Sequence, residues 1–272
     1  MYIALASSWN IISGYTGYVS FGHVAFFGVG AYVCAIMITR QGMPWVPAVL
    51  VGGAGAALLS LILGFPCLRL KGPYFAIVML GIGEIMRVTV LYFEDLTEGG
   101  FGISFPHPDA TIPSYFAMGI TAAAVVALSQ WLANSKFGLR LMSIREDELA
   151  AEAMGINTTK YKIVAFVLSA FFPGVAGGIY AYYLSYIEPE STFAVLITIN
   201  MAIMTIFGGR GTVLGPVVGA ASLYVMSELV WIRFPFLHLA LFGAIIIVVI
   251  LFMPRGIMGL VGAKGVLVRA RN

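Results

Sequence analysis

The chain has 272 residues, of which 60% are hydrophobic and 10% are charged, with a net charge of +3 and a mean hydropathy of +0.97. Soluble domains carry about 25% charged residues, so this composition excludes a water-soluble globular protein. The apolar segments follow one another without a hydrophilic module between them. We therefore expect one transmembrane domain over residues 1–272, with an all-α, polytopic helical-bundle fold.

A membrane-spanning helix needs roughly 20 mainly apolar residues. Nine segments meet or nearly meet this requirement, so the sequence predicts about nine spans, within a range of eight to ten. The first segment is too short to cross comfortably, and is either half of a broken helix or a sign that the true start of the chain lies upstream. The nine segments are 1–13, 17–39, 45–66, 73–93, 112–133, 161–183, 192–208, 214–232 and 236–253.

The stretch GYTGYVSFGHVAFFGVGAY (14–32) places glycines between the first two segments. Gly14 and Gly17 predict a break in the chain, where Thr16 and Ser20 can satisfy the freed backbone groups. A helix that starts after this break presents the positive end of its dipole, which suits a carboxylate. At membrane depth the break would be a candidate substrate contact, whereas near the inner surface it would act as a hinge.

The second half of this stretch has a different pattern. Gly22, Gly28 and Gly30 lie among small residues, which is typical of helices that pack closely in a membrane. His23 is expected either to form a hydrogen bond within the bundle or to touch the substrate.

Lysine and arginine residues indicate how the chain is oriented, because cytoplasmic loops carry more of them. If the loop 134–160 is cytoplasmic, the alternation of spans leaves only Arg40 and Arg233 outside, together with the acidic, glycine-rich loop 94–111. That outer loop is either a docking site for a binding protein or an ordinary solvated loop. The C-terminus then lies in the cytoplasm and residue 1 outside, so we expect a further helix upstream of residue 1.

The loop 134–160 predicts a short helix over 144–154. Ser143 and Glu146 have the spacing of a capping box, and Gly155 is a suitable stop. The helix would lie either in a groove of a partner protein or on the inner leaflet, although its acidic first turn disfavours anionic lipid. The candidate contact residues are Arg145, Glu146, Asp147, Glu148, Ala150, Ala151, Glu152, Met154 and Gly155.

Three polar residues within predicted spans are candidates for the transport pathway. Glu84 and Arg87 are three apart, hence on one helix face. Each costs roughly 2.5–3.5 kcal/mol at a helix centre, so we expect them to pair and to face inward. They either line the transport pathway or fix the packing of neighbouring helices. Asn200 either bridges two helices or lines the pathway.

Part of the loop resembles the coupling helix of ABC importer permeases, whose motif reads E-A-A, three residues, then glycine. Ala150, Ala151 and Gly155 match this spacing, but Leu149 stands at the glutamate position and Glu148 lies one residue early. The departure puts the role of the glutamate in doubt.

The whole chain resembles the branched-chain amino-acid ABC permease family, specifically its M-type subunit. The resemblance rests on GYTGYVSFGHVAFFGVGAY, LRLKGPYFAIVMLGIGEI, IREDELAAEAMGIN, FGGRGTVLGPVVGA and LFMPRGIMGL, which follow in the expected order. It implies a second homologous permease subunit, two cytoplasmic ATPases that bind ATP and Mg²⁺, and a periplasmic or extracellular substrate-binding protein. It also implies that the protein lies in the cytoplasmic membrane of a bacterium or archaeon.

The chain lacks a G-x-x-x-x-G-K-[ST] phosphate loop, so we expect a transport subunit that is no enzyme and holds no cofactor, metal or nucleic acid. Three alternatives remain. A permease of the same architecture for urea or short amides is one, and an ion-coupled secondary transporter that uses Glu84 and Arg87 is another. An intramembrane enzyme is disfavoured because the three histidines are scattered.

Overall fold

The computed structural model describes residues 1–105, 110–233, 243 and 256–262. Within these residues the chain is almost entirely helical, which confirms the predicted class. The predicted last span, 236–253, lies outside the described residues except for Gly243. The helices are α1 Tyr2–Ser13, α2 His23–Gln41, α3 Trp45–Cys67, α4 Pro73–Tyr92, α5 Glu94–Thr97, α6 Thr111–Asn134, α7 Lys136–Glu146, α8 Glu148–Ala153, α9 Thr158–Leu184, α10 Pro189–Thr192, α11 Val195–Gly208, α12 Gly215–Arg233 and α13 Gly256–Gly262; a 3₁₀ helix covers Gly99–Phe101, and β1 Ile103–Ser104 pairs with β2 Tyr186–Ile187.

Six helical segments among the described residues are long and apolar enough to cross a membrane: α2, α3, α4, α6, α9 and the combined stretch Pro189–Gly208. The predicted number of about nine is therefore not confirmed. Helix α1 has 12 residues, and the apolar part of α12 covers Gly215–Val230. The predicted second span, 17–39, starts too early, because the chain stays irregular until His23.

Helices α2, α3 and α9 form the centre of the bundle and cross at glycines. A Cβ atom at Gly30 would lie 2.1 Å from the carbonyl oxygen of Gly174, and one at Gly52 would lie 2.5 Å from the carbonyl oxygen of Gly30. A Cβ atom at Gly177 would lie 2.0 Å from the carbonyl oxygen of Phe27. These backbones touch directly, which confirms the predicted close-packing face of α2.

We expect Gly30→Val to destabilise the bundle strongly, because its side chain would meet the backbone of α9 rather than a movable side chain. Overpacking of this kind costs about 1–3 kcal/mol or more. Gly119→Val on α6 is the matched control, since a Cβ atom there meets none of the described residues within 4 Å. The thermal midpoint of the purified protein in detergent measures both effects, and equal midpoints for the two variants would contradict this packing.

The two ends of the bundle differ. At one end, β1 and β2 form an antiparallel pair with Ile103 opposite Ile187, and Arg40 donates a hydrogen bond to the carbonyl oxygen of Asp95. We call this the strand end. Helices α7 and α8 lie at the opposite end, where Lys71 approaches Glu148. Arg40 and Lys71 thus lie at opposite ends, as the charge distribution predicts.

Candidate functional site

The predicted helix 144–154 is wrong in its bounds, because two helices meet there. Asp147 is extended, with φ −156° and ψ 112°, and separates α7 from α8. Its carboxylate accepts hydrogen bonds from the first backbone amides of α8, while the Ser143 hydroxyl donates to the Leu139 carbonyl. The predicted capping box is therefore absent, and Glu146 ends α7 instead of opening a helix. Aspartate is itself a strong N-cap, and this preference decided the boundary.

Helix α8 and its C-cap residue display two large apolar side chains to the outside. Leu149 is 68% exposed and Met154 is 83% exposed, whereas Ala151 is buried against the bundle. Gly155 takes the left-handed conformation predicted for it, with φ 81°. We call Leu149 and Met154 the α8 surface.

Below α8, a lysine and a glutamate form a nearly buried ion pair. Lys162 Nζ lies 2.6 Å from Glu148 Oε1, and donates to the Tyr18 hydroxyl and the Leu68 carbonyl at 3.0 Å each. The Tyr18 hydroxyl donates to Glu148 Oε2 at 2.8 Å. The side chains of Lys162 and Glu148 are only 5% and 14% exposed. We call these four residues the Lys162 cluster; it ties α8 and α9 to the end of α3 and to the segment before α2.

The surroundings of the cluster determine its charge state. Burial raises the pKa of the Glu148 carboxyl, but hydrogen bonds from Lys162 and Tyr18 outweigh burial and hold this pKa below its usual value. Burial, with the hydrogen bond to Glu148, raises the pKa of Tyr18. Glu148 is therefore an anion and Tyr18 a neutral donor near pH 7.

Arg145, from α7, reaches the break before α2. Its Nη1 donates to the carbonyl oxygen of Gly14 at 3.0 Å. Gly17 has φ 81°, and a Cβ atom there would lie 3.3 Å from Arg145 Cγ. A Cβ atom at Gly211 would lie 2.6 Å from Arg145 Nη1, so the loop between α11 and α12 also borders this guanidinium. Burial and the charge of Arg145 lower the pKa of Arg210 in that loop.

Asn10 connects the same loop to α1. Its side chain accepts a hydrogen bond from the Gly211 amide at 2.8 Å and donates to the Thr212 carbonyl at 2.9 Å. The end of α7, the break and the α11–α12 loop thus meet at one end of the bundle. Sequence reasoning missed the roles of Asn10, Lys162 and Tyr18. An amide within an apolar segment and a lysine at the start of a predicted span were the available signals.

The break itself is buried and closely packed. The Thr16 hydroxyl donates to the Ile12 carbonyl, as predicted. Ser20 does not satisfy the backbone with its side chain, because its hydroxyl lies 2.9 Å from His23 Nδ1. Trp9 Nε1 donates to the Ser20 carbonyl at 2.7 Å instead. His23 therefore forms a hydrogen bond within the bundle, and its ring packs edge-on against aromatic neighbours.

The break begins at the α7–α8 end and runs into the bundle. Gly14 lies beside Arg145, whereas the Val24 amide donates to the Thr198 hydroxyl in α11 at 2.8 Å. A Cβ atom at Gly22 would lie 2.2 Å from the Met79 carbonyl oxygen, which leaves no space for a ligand beside it. The hinge and the substrate contact both stay predictions for Gly14 and Gly17.

The polar residues of α4 and α11 have different surroundings. Glu84 and Arg87 pair as predicted, but the inward orientation is wrong, because their side chains are 54% and 29% exposed. The neighbouring helices pack against the opposite, apolar face of α4, so the face that carries the charged pair stays exposed. Asn200 in α11 interacts with the Tyr2 side chain of α1, and its role as a bridge or as part of the pathway stays a prediction. Among the described residues, no three His, Cys, Asp or Glu side chains converge as metal ligands.

In the part of the chain that the structure describes, six apolar helical segments long enough to cross a membrane define an integral membrane protein. The family model described as the permease component of the branched-chain amino acid transport system matches residues 1–250. The chain belongs to this family, and the relatives that it resembles are transport permease subunits.

Individual relatives agree with this assignment. The high-affinity branched-chain amino acid transport system permease protein LivM of Escherichia coli K12 is 30% identical, over 95% of this chain and 68% of its own length. LivH of the same organism is 24% identical, over 95% of this chain and 91% of its own length. A probable branched-chain amino acid transport permease protein LivM of Methanocaldococcus jannaschii is 24% identical, over 95% of this chain and 90% of its own length. No solved structure matches this chain.

Proposed function

We propose that this chain is a transmembrane permease subunit of an ATP-driven importer for branched-chain or other hydrophobic amino acids. Membership of the permease family supports the class of protein, and the similar proteins LivM and LivH, which are branched-chain amino acid permease proteins, support the substrate class. The chain is similar to both of these permease proteins, which supports pairing with a second, homologous permease subunit. The α7–α8 end lies in the cytoplasm of a bacterium or archaeon, and the strand end receives the binding protein.

The observation that carries this proposal is the connection from the α8 surface to the transmembrane helices. Leu149 and Met154 offer apolar contact to a groove of an ATPase subunit. Directly beneath them, Glu148 holds Lys162 of α9 and Tyr18 before α2. A displacement of α8 is therefore passed to two spans at once, because a buried ion pair is costly to separate.

Transport would follow from this connection by alternating access. ATP and Mg²⁺ bind in the partner ATPases, whose closure moves α8. The Lys162 cluster shifts α9, and Arg145 shifts the break before α2, which acts as the hinge. ATP hydrolysis in the partners then releases α8 and resets the spans.

Uptake by proteoliposomes tests this function. The chain is reconstituted with its second permease and ATPases, with ATP inside and leucine-loaded binding protein outside. We expect leucine uptake that requires ATP and persists when ionophores collapse the proton and sodium gradients. Liposomes lacking this chain are the control. Uptake that follows a pH gradient without ATP would contradict the proposal and indicate an ion-coupled transporter, and preferential uptake of urea by the same liposomes would correct the substrate class.

A further inference from the structure

A cavity of about 520 Å³ lies between four helices near the strand end of the bundle. Residues of α1, α6, α9 and α12 line it, so it has walls on several sides. Thr111, the first residue of α6, and Tyr183, in the last turn of α9, place it near this end, because β2 follows α9 after one residue. Pockets that hold small ligands have volumes of about 300–1,000 Å³, so this cavity is large enough for an amino acid.

The α6 wall of the cavity carries a buried hydroxyl group. Ser114 is 3% exposed and lines the cavity. Its hydroxyl forms no hydrogen bond with any residue that the structure describes. Burying an unpaired hydroxyl costs free energy, and a ligand in the cavity would remove this cost by forming the missing hydrogen bond.

Tyrosine side chains surround the same cavity, and its described lining contains no Asp, Glu, Lys or Arg. The face of an aromatic ring attracts a cationic group, and a hydroxyl can both donate and accept a hydrogen bond. Such a lining suits a small zwitterion with an apolar side chain, because neither charge of the ligand meets a protein charge of the same sign. The five tyrosines are Tyr2, Tyr115, Tyr180, Tyr183 and Tyr224.

Two walls of the cavity belong to helices that the α7–α8 end holds. Arg145 donates to the carbonyl oxygen of Gly14, directly after α1. Glu148 pairs with Lys162 of α9. A displacement of α8 would therefore change the width of the cavity near the other end of the same helices. A site whose walls move with α8 fits a transported ligand better than a lipid that stays bound.

Resting on the proposed function, we propose that this cavity binds the hydrophobic α-amino acid before it crosses the membrane. The Ser114 hydroxyl donates to the substrate carboxylate, a charge-assisted hydrogen bond. The tyrosine rings lie against the ammonium group. Met118 and Ile179, from α6 and α9, contact the apolar side chain. The substrate thus supplies the partner that the Ser114 hydroxyl lacks among the described residues.

Removal of this hydroxyl separates a ligand site from a structural role. Ser114→Ala leaves no described group unpaired, so the thermal midpoint should stay at the wild-type value. We expect the maximal rate of leucine uptake by the proteoliposomes to fall at least fivefold, with the ATPases still bound. Ser129→Ala is the matched control and should transport normally, because Ser129 also lies on α6, is 1% exposed and has an unpartnered hydroxyl, but does not line the cavity.

The outcomes distinguish this inference from the proposed function. Wild-type uptake by Ser114→Ala, or an equal loss in Ser129→Ala, would overturn the inference alone. Failure of the wild-type liposomes to take up leucine with ATP would overturn the proposed function and the inference with it.

Labelling of a cysteine tests the cavity directly. Ser114→Cys in the assembled complex should react with a small, charged, water-soluble thiol reagent, and leucine delivered during turnover should slow the reaction at least threefold. Ile120→Cys is the control on the exposed apolar face of α6 and should react only with a membrane-soluble reagent; the native Cys34 and Cys67 are buried. Reaction of Ser114→Cys with the membrane-soluble reagent alone would mean that lipid occupies the cavity, and no reaction with either reagent would mean that protein fills it. Either result would overturn the assignment.

Discussion

Replacing Lys162 with methionine is expected to lower the free energy of unfolding by about 3–5 kcal/mol, the usual cost of removing one partner from a buried pair. Glu148 would keep its charge in a site where its side chain is 14% exposed. Tyr18 and the Leu68 carbonyl would also lose a donor. For a chain of this size the loss corresponds to a thermal midpoint lower by on the order of 10 °C, measured on purified protein in detergent.

Two variants control this result. Lys160→Met removes an exposed charge two residues away, and should leave the midpoint unchanged. The double variant Lys162→Met/Glu148→Leu removes both charges and should recover much of the loss. A single Lys162→Met variant as stable as the wild type would refute the claim that this pair holds α8 on α9.

Changing the α8 surface should abolish transport without unfolding the permease. We expect Leu149→Asp/Met154→Asp to lower ATP-dependent leucine uptake at least about 30-fold, since loss of a central contact in an interface costs about 2 kcal/mol or more. Both side chains are exposed in the isolated chain, so the thermal midpoint should stay near the wild-type value. Co-purification of the ATPase subunit and uptake by proteoliposomes measure the effect.

The matched control lies on the neighbouring helix α7. Leu139 is 60% exposed, so Leu139→Asp introduces one such charge at an exposure similar to that of Leu149 but away from the α8 surface. It should retain most of the uptake. Equal losses in the two variants would mean that charge anywhere on this loop is harmful, and that α8 has no special role.

The sequence was a good guide wherever a long apolar run determined the structure. The predicted segments 45–66, 73–93 and 112–133 differ from α3, α4 and α6 by at most one residue at each end. Such runs have no alternative to a helix in a membrane, because every backbone polar group must be paired internally.

Prediction failed where contacts between residues distant in sequence determine the structure. Lys162 and Tyr18 are 144 residues apart, and no local sequence pattern predicts that they are in contact. The start of α2 at His23 depends on packing against α4 and α11, and the outward orientation of Glu84 depends on which face of α4 the neighbours cover. Periodicity placed Glu84 and Arg87 on one face, but it did not say which way that face points.

Site-directed cross-linking measures the central claim most directly. Met154→Cys places a thiol on the α8 surface at a position that is 83% exposed. In the complex assembled with its ATPases, we predict that a short bifunctional thiol reagent joins this residue to a cysteine in the ATPase groove, and that the cross-link stops ATP-dependent uptake. If Met154→Cys reacts freely with small reagents in the active complex and forms no cross-link to the ATPase, α8 is not the coupling element and the account is wrong.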